Sequence, residues 1–365
     1  MAEIWRECHG PDSLIRRDKT ESTWHSGGAT FRPHEKDPCR FHAVRAPVNH
    51  FDGKRFFYPG DTSERGFRDL LRWRLTRRPV PWPKSVPVEP AFLPPAPATS
   101  GVSITWIGHS TFLIRTSQAT WLTDPVFSER IGPIRGWGPR RVVSPAMALA
   151  ALPPIDGILV SHDHYDHCDL PSLQALARPG SAAKIPTVVT PLNYASLLRP
   201  YRDAGKLVEL DWWDSWNGPG DSVVQLVPAR HWCRRRIWGT NKRLWGGYHL
   251  RAGGRSIYFA GDSGFDERLF EEIAGRCGPP DVALIPIGAY EPRWFMREAH
   301  MNPAEAVKAH AIVGSRLSAA MHWGTFPLTD EAREDPPLAL AAALAEARVS
   351  PGAFRVLPFG GSVTV

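Results

Sequence analysis

Residues 155–167 read Ile155-Asp156-Gly157-Ile158-Leu159-Val160-Ser161-His162-Asp163-His164-Tyr165-Asp166-His167, an apolar run that ends in a burst of imidazoles and carboxylates. The run has the length and composition of a buried strand. Along an extended chain alternate side chains face one way, so His162 and His164 point together. Asp166 and His167 join them only if the chain turns around a common centre. A metal ion is such a centre, and a density of nitrogen and oxygen donors directly after a buried strand favours a metal site over a polar surface loop. Downstream, Asp169-Leu170-Pro171 reads as a helix start, with the Asp capping and the proline in the first turn, where a missing N–H is harmless.

Two divalent ions need more side chains than this motif holds, so further donors must come from distant loops. Three positions at the ends of apolar runs supply them. His231 follows Val224-Gln225-Leu226-Val227-Pro228, Asp262 lies in Phe259-Ala260-Gly261-Asp262-Ser263-Gly264, and His322 follows Leu317-Ser318-Ala319-Ala320-Met321. The glycines beside Asp262 let the backbone turn tightly next to an ion. Any one of these alone reads as an ordinary hydrogen-bonded residue, and the three together read as ligands. His109, in a Gly108-His109-Ser110 turn, is expected to support the site without being a ligand. Asp163 and Tyr165 are expected to line it, and Cys168 and Cys233 to be packing.

Composition divides the chain. Residues 1–48 are polar without a period of either kind and read as a flexible extension. Residues 49–100 form an aromatic and basic arm leading into a proline-rich linker, with prolines at 79, 81, 83, 87, 90, 94, 95 and 97 that exclude helix and central strand. Inside the arm, residues 64–78 interleave Phe67, Leu70, Leu71 and Trp73 with Arg65, Arg68, Arg72, Arg74, Arg77 and Arg78. This spacing predicts an amphipathic helix, suited to a membrane surface or to docking on the body of the protein with a solvated basic face. Residues 101–365 form the catalytic domain. Short β-like bursts at 102–106, 111–115 and 120–122 predict an antiparallel sheet; helices at 171–177 and 303–311 then alternate with strands at 187–190, 223–227, 256–260 and 282–285. No repeat of solenoid length is visible.

Lys and Arg number 44 against 37 for Asp and Glu, a net charge of +7 that suits anionic partners, phospholipid or nucleic acid, without choosing between them. The cysteines are scattered and form no Cys-x-x-Cys pair, which argues against a disulfide framework and fits a reducing compartment. The N-terminal Met1-Ala2-Glu3-Ile4-Trp5-Arg6 lacks the basic-then-apolar pattern of an export signal. Apolar runs such as 338–345 fall far below the roughly 18 residues of a membrane span. The expectation is a cytoplasmic protein whose membrane contact is peripheral.

The motifs taken together resemble a known family. His162-x-His164-x-Asp166-His167, then His231, Asp262 and His322, is similar to the ordered ligand set of the metallo-β-lactamase fold, with Asp124 of Leu122-Thr123-Asp124-Pro125 standing where that fold has its first Asp. Longer strings narrow the resemblance to the N-acyl-phosphatidylethanolamine-hydrolysing phospholipase D branch. They are Asp211-Trp212-Trp213, His231-Trp232-Cys233-Arg234-Arg235, Asn241-Lys242 with Leu244-Trp245-Gly246, residues 285–296, and His322-Trp323-Gly324-Thr325-Phe326. Ala299 stands where a member of that family carries Gln.

The resemblance implies an α/β fold, a four-layer αββα metallo-β-lactamase sandwich with an N-terminal arm and the metals at the sheet edge. It implies two Zn2+ ions per chain, one held by His162, His164 and His231, the other by Asp166, His167 and His322, with Asp262 between them. The donors themselves, imidazole and carboxylate without thiolate, suit zinc, iron or manganese alike. Two cations roughly 3.5–4 Å apart lower the pKa of a bridging water and polarise a phosphoryl oxygen. The implied activity is therefore a phospholipase D-type phosphodiesterase, in which a metal-bridging hydroxide cleaves N-acyl-phosphatidylethanolamine-like phospholipids to phosphatidic acid and N-acylethanolamine. Its catalytic set is Asp262, Asp166 and His300, the last matching a family His near the substrate phosphate that protonates the leaving group or anchors the lipid. Arg293 and the cluster Arg234, Arg235, Arg236 are cations able to meet a phosphate, and stay outside that set. Two other readings stand beside this one: a soluble hydrolase of the same fold acting on another phosphodiester or a lactone, and a non-catalytic metal-containing lipid-binding protein, against which the complete ligand set argues. The expected partners are phospholipid and a membrane surface. Nucleic acid is not expected, because the interval from Asp262 to His322 leaves no room for a large inserted nucleic-acid domain, and a homodimer is a further expectation from the family.

Overall fold

The computed structural model describes residues 50–61, 67–134, 136–178, 184–236 and 239–365, so the expectations placed on residues 1–48 and on Arg65 lie outside it. Helix α1 (Phe67–Thr76) realises the described part of the amphipathic segment. Trp73 is buried, stacked on Phe295 at 5.1 Å and covered by the Arg77 guanidinium at 4.8 Å, while Arg77 also pairs with Asp330 at 3.1 Å. The helix is therefore docked on the body of the protein, and Trp73 belongs to the docked side. The prolines after it keep the chain extended, held by Trp82 Nε1 donating to Glu331 O (2.9 Å) and by a bridge between Val86 and Val143.

The body is two mixed sheets. In the first, β1 (Ser103–Gly108), β2 (Thr111–Arg115) and β3 (Thr120–Thr123) are antiparallel as expected. The sheet then turns parallel through β4 (Gly157–Leu159), β5 (Thr187–Pro191) and β6 (Leu207–Leu210). Parallel neighbours need crossovers, and α2 (Leu170–Leu176) and α3 (Arg199–Asp203) lie in those connections, in keeping with the alternation of helix and strand expected after the histidine motif. The second sheet repeats the plan. Strands β7 (Ser215–Asn217), β8 (Val223–Val227), β9 (Gly247–Ala252) and β10 (Arg255–Phe259) are antiparallel; β11 (Val282–Pro286), β12 (Leu317–Met321) and β13 (Phe354–Arg355) add in parallel. The last strand, β14 (Ser362–Thr364), returns to the first sheet beside β1.

Alternation along the strands sorts the side chains into layers. Ile104, Trp106, Phe112, Ile114, Trp121 and Leu159 face the second sheet and join Val224, Tyr248, Leu250 and Phe259 in one core. Their neighbours Leu113, Leu122, Ile158 and Val188 face outward onto Leu173 of α2 and Tyr201 of α3. On the far side, α4 (Glu267–Cys277), α6 (Pro303–Val313) and α7 (Asp335–Glu346) contribute Phe270, Val307 and Leu340 to the core of the second sheet. The short α5 (Arg293–Met296) precedes α6. Each fully buried large side chain stabilises the fold by about 1.5–3 kcal/mol. The four-layer αββα sandwich expected from the resemblance is thus the observed architecture.

Local chemistry sets the helix ends. Helix α6 starts with a reciprocal capping box between Asn302 and Glu305, has Pro303 in its first turn, and stops at Gly314 in the left-handed conformation (φ 67). Asp169 occupies the N-cap of α2 but does not cap it, correcting the sequence reading. Its carboxylate accepts from Ser172 Oγ and from Ser128 Oγ (2.7 Å), tying the loop after β3 to the helix. Among the described residues, no helix is long and apolar enough to cross a membrane.

Candidate metal centre

Strand ends of both sheets converge on one edge, and every candidate donor sits on such an end. After β4, His167 N and Cys168 N bond back to His164 O (3.2 and 2.9 Å), which makes the turn that brings Asp166 and His167 round to the side of His162 and His164. His231 follows β8, Asp262 follows β10, and His322 follows β12. Close approach is built into the backbone. Gly261 is left-handed (φ 61), and a Cβ there would meet Ser161 Cβ at 2.9 Å; a Cβ on Gly288 would lie 2.2 Å from His322 O. His322, His109 and Asp124 themselves adopt positive φ (60, 54 and 30), a conformation L-residues rarely take and one concentrated at functional sites.

The donors fall into two subsets. Ligand atoms of His162, His164 and His231 lie within 4.8 Å of one another, and so do those of His109, Asp166, His167 and His322. Asp262 stands between them. Its Oδ2 is 3.1 Å from Nε2 of both His167 and His322, 3.8 Å from His162 Nε2 and 3.9 Å from His231 Nε2. His300 completes the edge, with Nδ1 3.9 Å from the same oxygen. Most of the set is fully buried; His164, Asp166 and His300 keep partial exposure, so the site opens on their side.

These residues fit a pair of cations. Two nitrogens bound to one tetrahedral ion at about 2.1 Å lie about 3.4 Å apart. His164 Nδ1 is 2.9 Å from His162 Nε2 and 3.2 Å from His231 Nε2. Four further polar atoms are buried here without a well-aligned hydrogen-bond partner: Nε2 of His167 and of His322, each 3.1 Å from Asp262 Oδ2 but outside bonding geometry, Nδ1 of His300, and Oδ1 of Asp262. Each would cost about 1–3 kcal/mol if left unmet, and a cation between them meets several at once.

The electrostatics agree. Burial pushes His164 and His231 down to about 3 and His162 well below its usual range, so this subset offers neutral lone pairs. Burial also opposes charge on His167 and His322, but Asp262, with Asp166 alongside, outweighs it, holding His167 well above its usual value and His322 at about 9. Burial alone would raise Asp166 and Asp262; the imidazoliums, His167 foremost, instead hold both well below the carboxylate range. Without metal, protons on the imidazoles compensate the carboxylates, and a cation would replace those protons.

A supporting shell orients the donors. Asp124 accepts from Ser161 N (2.7 Å), Ser161 Oγ (2.6 Å) and His167 Nδ1 (2.6 Å). His231 Nδ1 bonds Ala299 O at 3.0 Å, so the backbone at this position serves the site. His109 Nε2 holds Asp166 Oδ2 at 3.1 Å. Asp163 does not line the site: alternation turns it away from its flanking histidines, and it is buried against Arg243 at 3.0 Å. Tyr165 packs its ring under the Arg235 guanidinium (4.2 Å) and donates to Arg235 O.

Of the arginines able to meet a phosphate, Arg235 and Arg293 serve the frame. Arg235 Nη1 donates to Asp163 O and Cys168 O, both at 2.8 Å, clamping the two ends of the histidine loop. Arg293 pairs with Glu305 (2.7 Å) and donates to His300 O (2.9 Å). Cys168 and Cys233 are buried, and burial pushes the Cys168 thiol up to about 12 and that of Cys233 well above its usual value, as packing residues. Sequence reading missed the clamp by Arg235, the Arg243–Asp163 pair and the role of Gly288. A charge run and a lone glycine carry no signal of their partners. Asp124 was marked only by the resemblance to the metallo-β-lactamase fold.

The family model described as β-lactamase superfamily domain matches residues 120–323. An N-acyl-phosphatidylethanolamine-hydrolyzing phospholipase D 1 of Caenorhabditis elegans is 37% identical over 236 residues, 63% of this chain and 65% of that protein. A mitochondrial N-acyl-phosphatidylethanolamine-hydrolyzing phospholipase D of Saccharomyces cerevisiae is 34% identical over 62% of this chain and 48% of that protein. The chain thus spans less than two thirds of these relatives' length. Among solved structures, Igni18, a metallo hydrolase of Ignicoccus hospitalis, superposes with a TM-score of 0.52 at 20% identity, over 73% of this chain and 99% of its own, a likeness of fold.

Proposed function

This chain belongs to the β-lactamase superfamily, and from that premise we propose that it is a dinuclear zinc phosphodiesterase of the phospholipase D type. Its substrate would be an N-acyl-phosphatidylethanolamine-like phospholipid at a membrane surface, and its products phosphatidic acid and an N-acylethanolamine. The observation that carries the proposal is Asp262 Oδ2 lying within 3.9 Å of imidazole nitrogens from both histidine subsets, the arrangement a shared ligand of two ions requires. The relatives named above support the substrate class. His162, His164 and His231 would hold one ion and Asp166, His167 and His322 the other. When bound, such ions polarise a phosphoryl group and acidify water.

The chain's own residues do the rest. Asp124 presents His167 with its Nε2 toward the centre, Ala299 O does the same for His231, and His109 steadies Asp166. His300, pushed down to about 3 by burial, is neutral at physiological pH. That state favours anchoring over acid catalysis, with its N–H donating to a substrate phosphate oxygen on the open side. In the reaction a water oxygen joins phosphorus, the bond from phosphorus to the ethanolamine oxygen breaks, and a proton ends on the leaving oxygen.

The test is to incubate the purified protein with N-acyl-phosphatidylethanolamine, other glycerophospholipids, simple phosphodiesters and an acyl lactone, and to identify products by mass spectrometry beside a metal assay. Release of N-acylethanolamine from a protein carrying about two equivalents of zinc is the expected result. Turnover of simple diesters or the lactone alone would refute the lipid assignment; absence of turnover with metal bound would leave a binding protein.

A further inference from the structure

Among the described residues, five of the ten exposed large apolar side chains gather on one face. Trp137 (73% exposed) and Ile134 (63%) stand on the loop after β3, Leu75 (77%) and Leu71 (46%) lie one turn apart on α1, and Trp294 (41%) stands on α5. Contacts join them. Arg72 of α1 lies over the Trp294 ring at 4.7 Å, and a groove of about 620 Å³ separates α1 from the loop, lined by Trp73, Arg74, Arg77, Arg130, Trp137 and Leu328. The face adjoins the metal centre on two sides. Trp294 follows Arg293, which donates to His300 O at 2.9 Å. Leu328 packs with Phe326, whose ring meets His109 edge-on at 5.3 Å.

We propose that this face docks on an anionic lipid bilayer, with Trp137, Ile134, Leu71 and Leu75 entering the interface and the arginines around the groove meeting lipid phosphates. The proposal rests on the lipid substrate proposed above and names the surface that would bring the centre to it. Charge selects the occupant. Arg68, Arg72, Arg74 and Arg78 are exposed on or just after α1, and Arg130 is exposed across the groove. Two of the acidic groups near them are engaged, Asp330 with Arg77 at 3.1 Å and Glu129 with Arg140 at 2.7 Å, and α1 itself carries Asp69. A rim of cations around exposed tryptophan and aliphatic side chains matches the headgroup region, where indole rings sit at the interface and arginine stems extend past buried apolar groups toward phosphate. A patch of this kind on one chain marks an interaction site.

The experiment is sedimentation of the full-length protein with vesicles of phosphatidylcholine alone or with about one third phosphatidylglycerol. Four proteins are compared: the wild type, Ile134→Ala with Trp137→Ala, Arg74→Gln with Arg130→Gln, and Leu338→Ala on α7 as a control. Hydrolysis of a soluble phosphodiester and the thermal midpoint are read alongside. The wild type should bind the anionic vesicles and release them in 1 M salt, where the screening length falls to about 3 Å. The arginine pair should weaken binding about 25-fold, about fivefold per charge. The Ile134/Trp137 pair should weaken binding at least tenfold on both vesicle types, with soluble-substrate turnover and midpoint unchanged and the control indistinguishable from wild type. Undiminished binding by both double variants overturns the proposal. So does a sedimentation-velocity dimer that Trp137→Ala dissociates, which would assign the face to a second copy of this chain. Vesicle binding that is lost as expected in a protein that cleaves no phospholipid would sink the substrate assignment and leave this surface standing.

Discussion

Replacing Asp124 by Asn tests the centre where one atom decides the outcome. The carboxylate is fully buried; Oδ1 accepts from Ser161 N at 2.7 Å, and Oδ2 accepts from both Ser161 Oγ and His167 Nδ1 at 2.6 Å. Asparagine keeps the first bond through its carbonyl oxygen and puts an NH2 donor where Oδ2 was. The Ser161 hydroxyl rotates and accepts from it. His167 Nδ1 accepts only by giving up its proton, which leaves the ring proton on Nε2, the atom 3.1 Å from Asp262 Oδ2 that a metal would need. Loss of a charged hydrogen bond costs the metal-free protein about 1.5–3 kcal/mol. The wrong tautomer lowers affinity at the Asp166, His167 and His322 position about 10–100-fold, or about 1.4–2.7 kcal/mol, and leaves the His162, His164 and His231 position nearly unaffected. Competition with a chromophoric chelator resolves the two constants. If both lie within about twofold of wild type, against the 10–100-fold expected, then His167 is not a ligand presented by Asp124. A loss confined to the other position would refute the grouping.

Three further outcomes follow from the same geometry. Gly288→Ala places a Cβ 2.2 Å from His322 O, so His322 must move, and the variant should keep its fold by circular dichroism but bind less than one full second equivalent of metal. Trp73→Ala removes the ring that docks α1 on Phe295. Burial of a Trp on that scale is worth about 3–5 kcal/mol, so residues 67–77 should lose hydrogen-exchange protection while soluble-diester turnover persists. The third concerns pH and the metal-free protein. His109, His164, His231 and His300 are held at about 3 by burial, below the 6.5 of the unfolded chain, so their contribution is present above 6.5 and is lost as pH falls toward 3. His322, raised to about 9, contributes fully below 6.5 and loses that contribution as pH rises through 9. Denaturation midpoints of chelated protein should therefore peak near pH 6.5 and fall on both sides; a midpoint that rises steadily to pH 9 would contradict the His322 assignment.

What the sequence determined by itself was local in its physics. Strand alternation, a dense run of donors after an apolar stretch and proline where no helix can form all act within a few positions, and each is legible without knowing what lies opposite. So was the roll of strand-end donors, because a buried imidazole or carboxylate closing an apolar run needs a partner whatever the fold. Tertiary structure decided everything that depends on which face meets which. Asp163 reads like its neighbours yet turns to Arg243, and Arg235, in a run of charges that reads as solvated, clamps the histidine loop. Trp73 and Trp137 are one letter, but the first is buried on Phe295 and the second stands in solvent. Residue type supplies the chemistry, while long-range packing sets the distances and the burial that govern its strength. Only packing could therefore place one oxygen of Asp262 between the two histidine subsets.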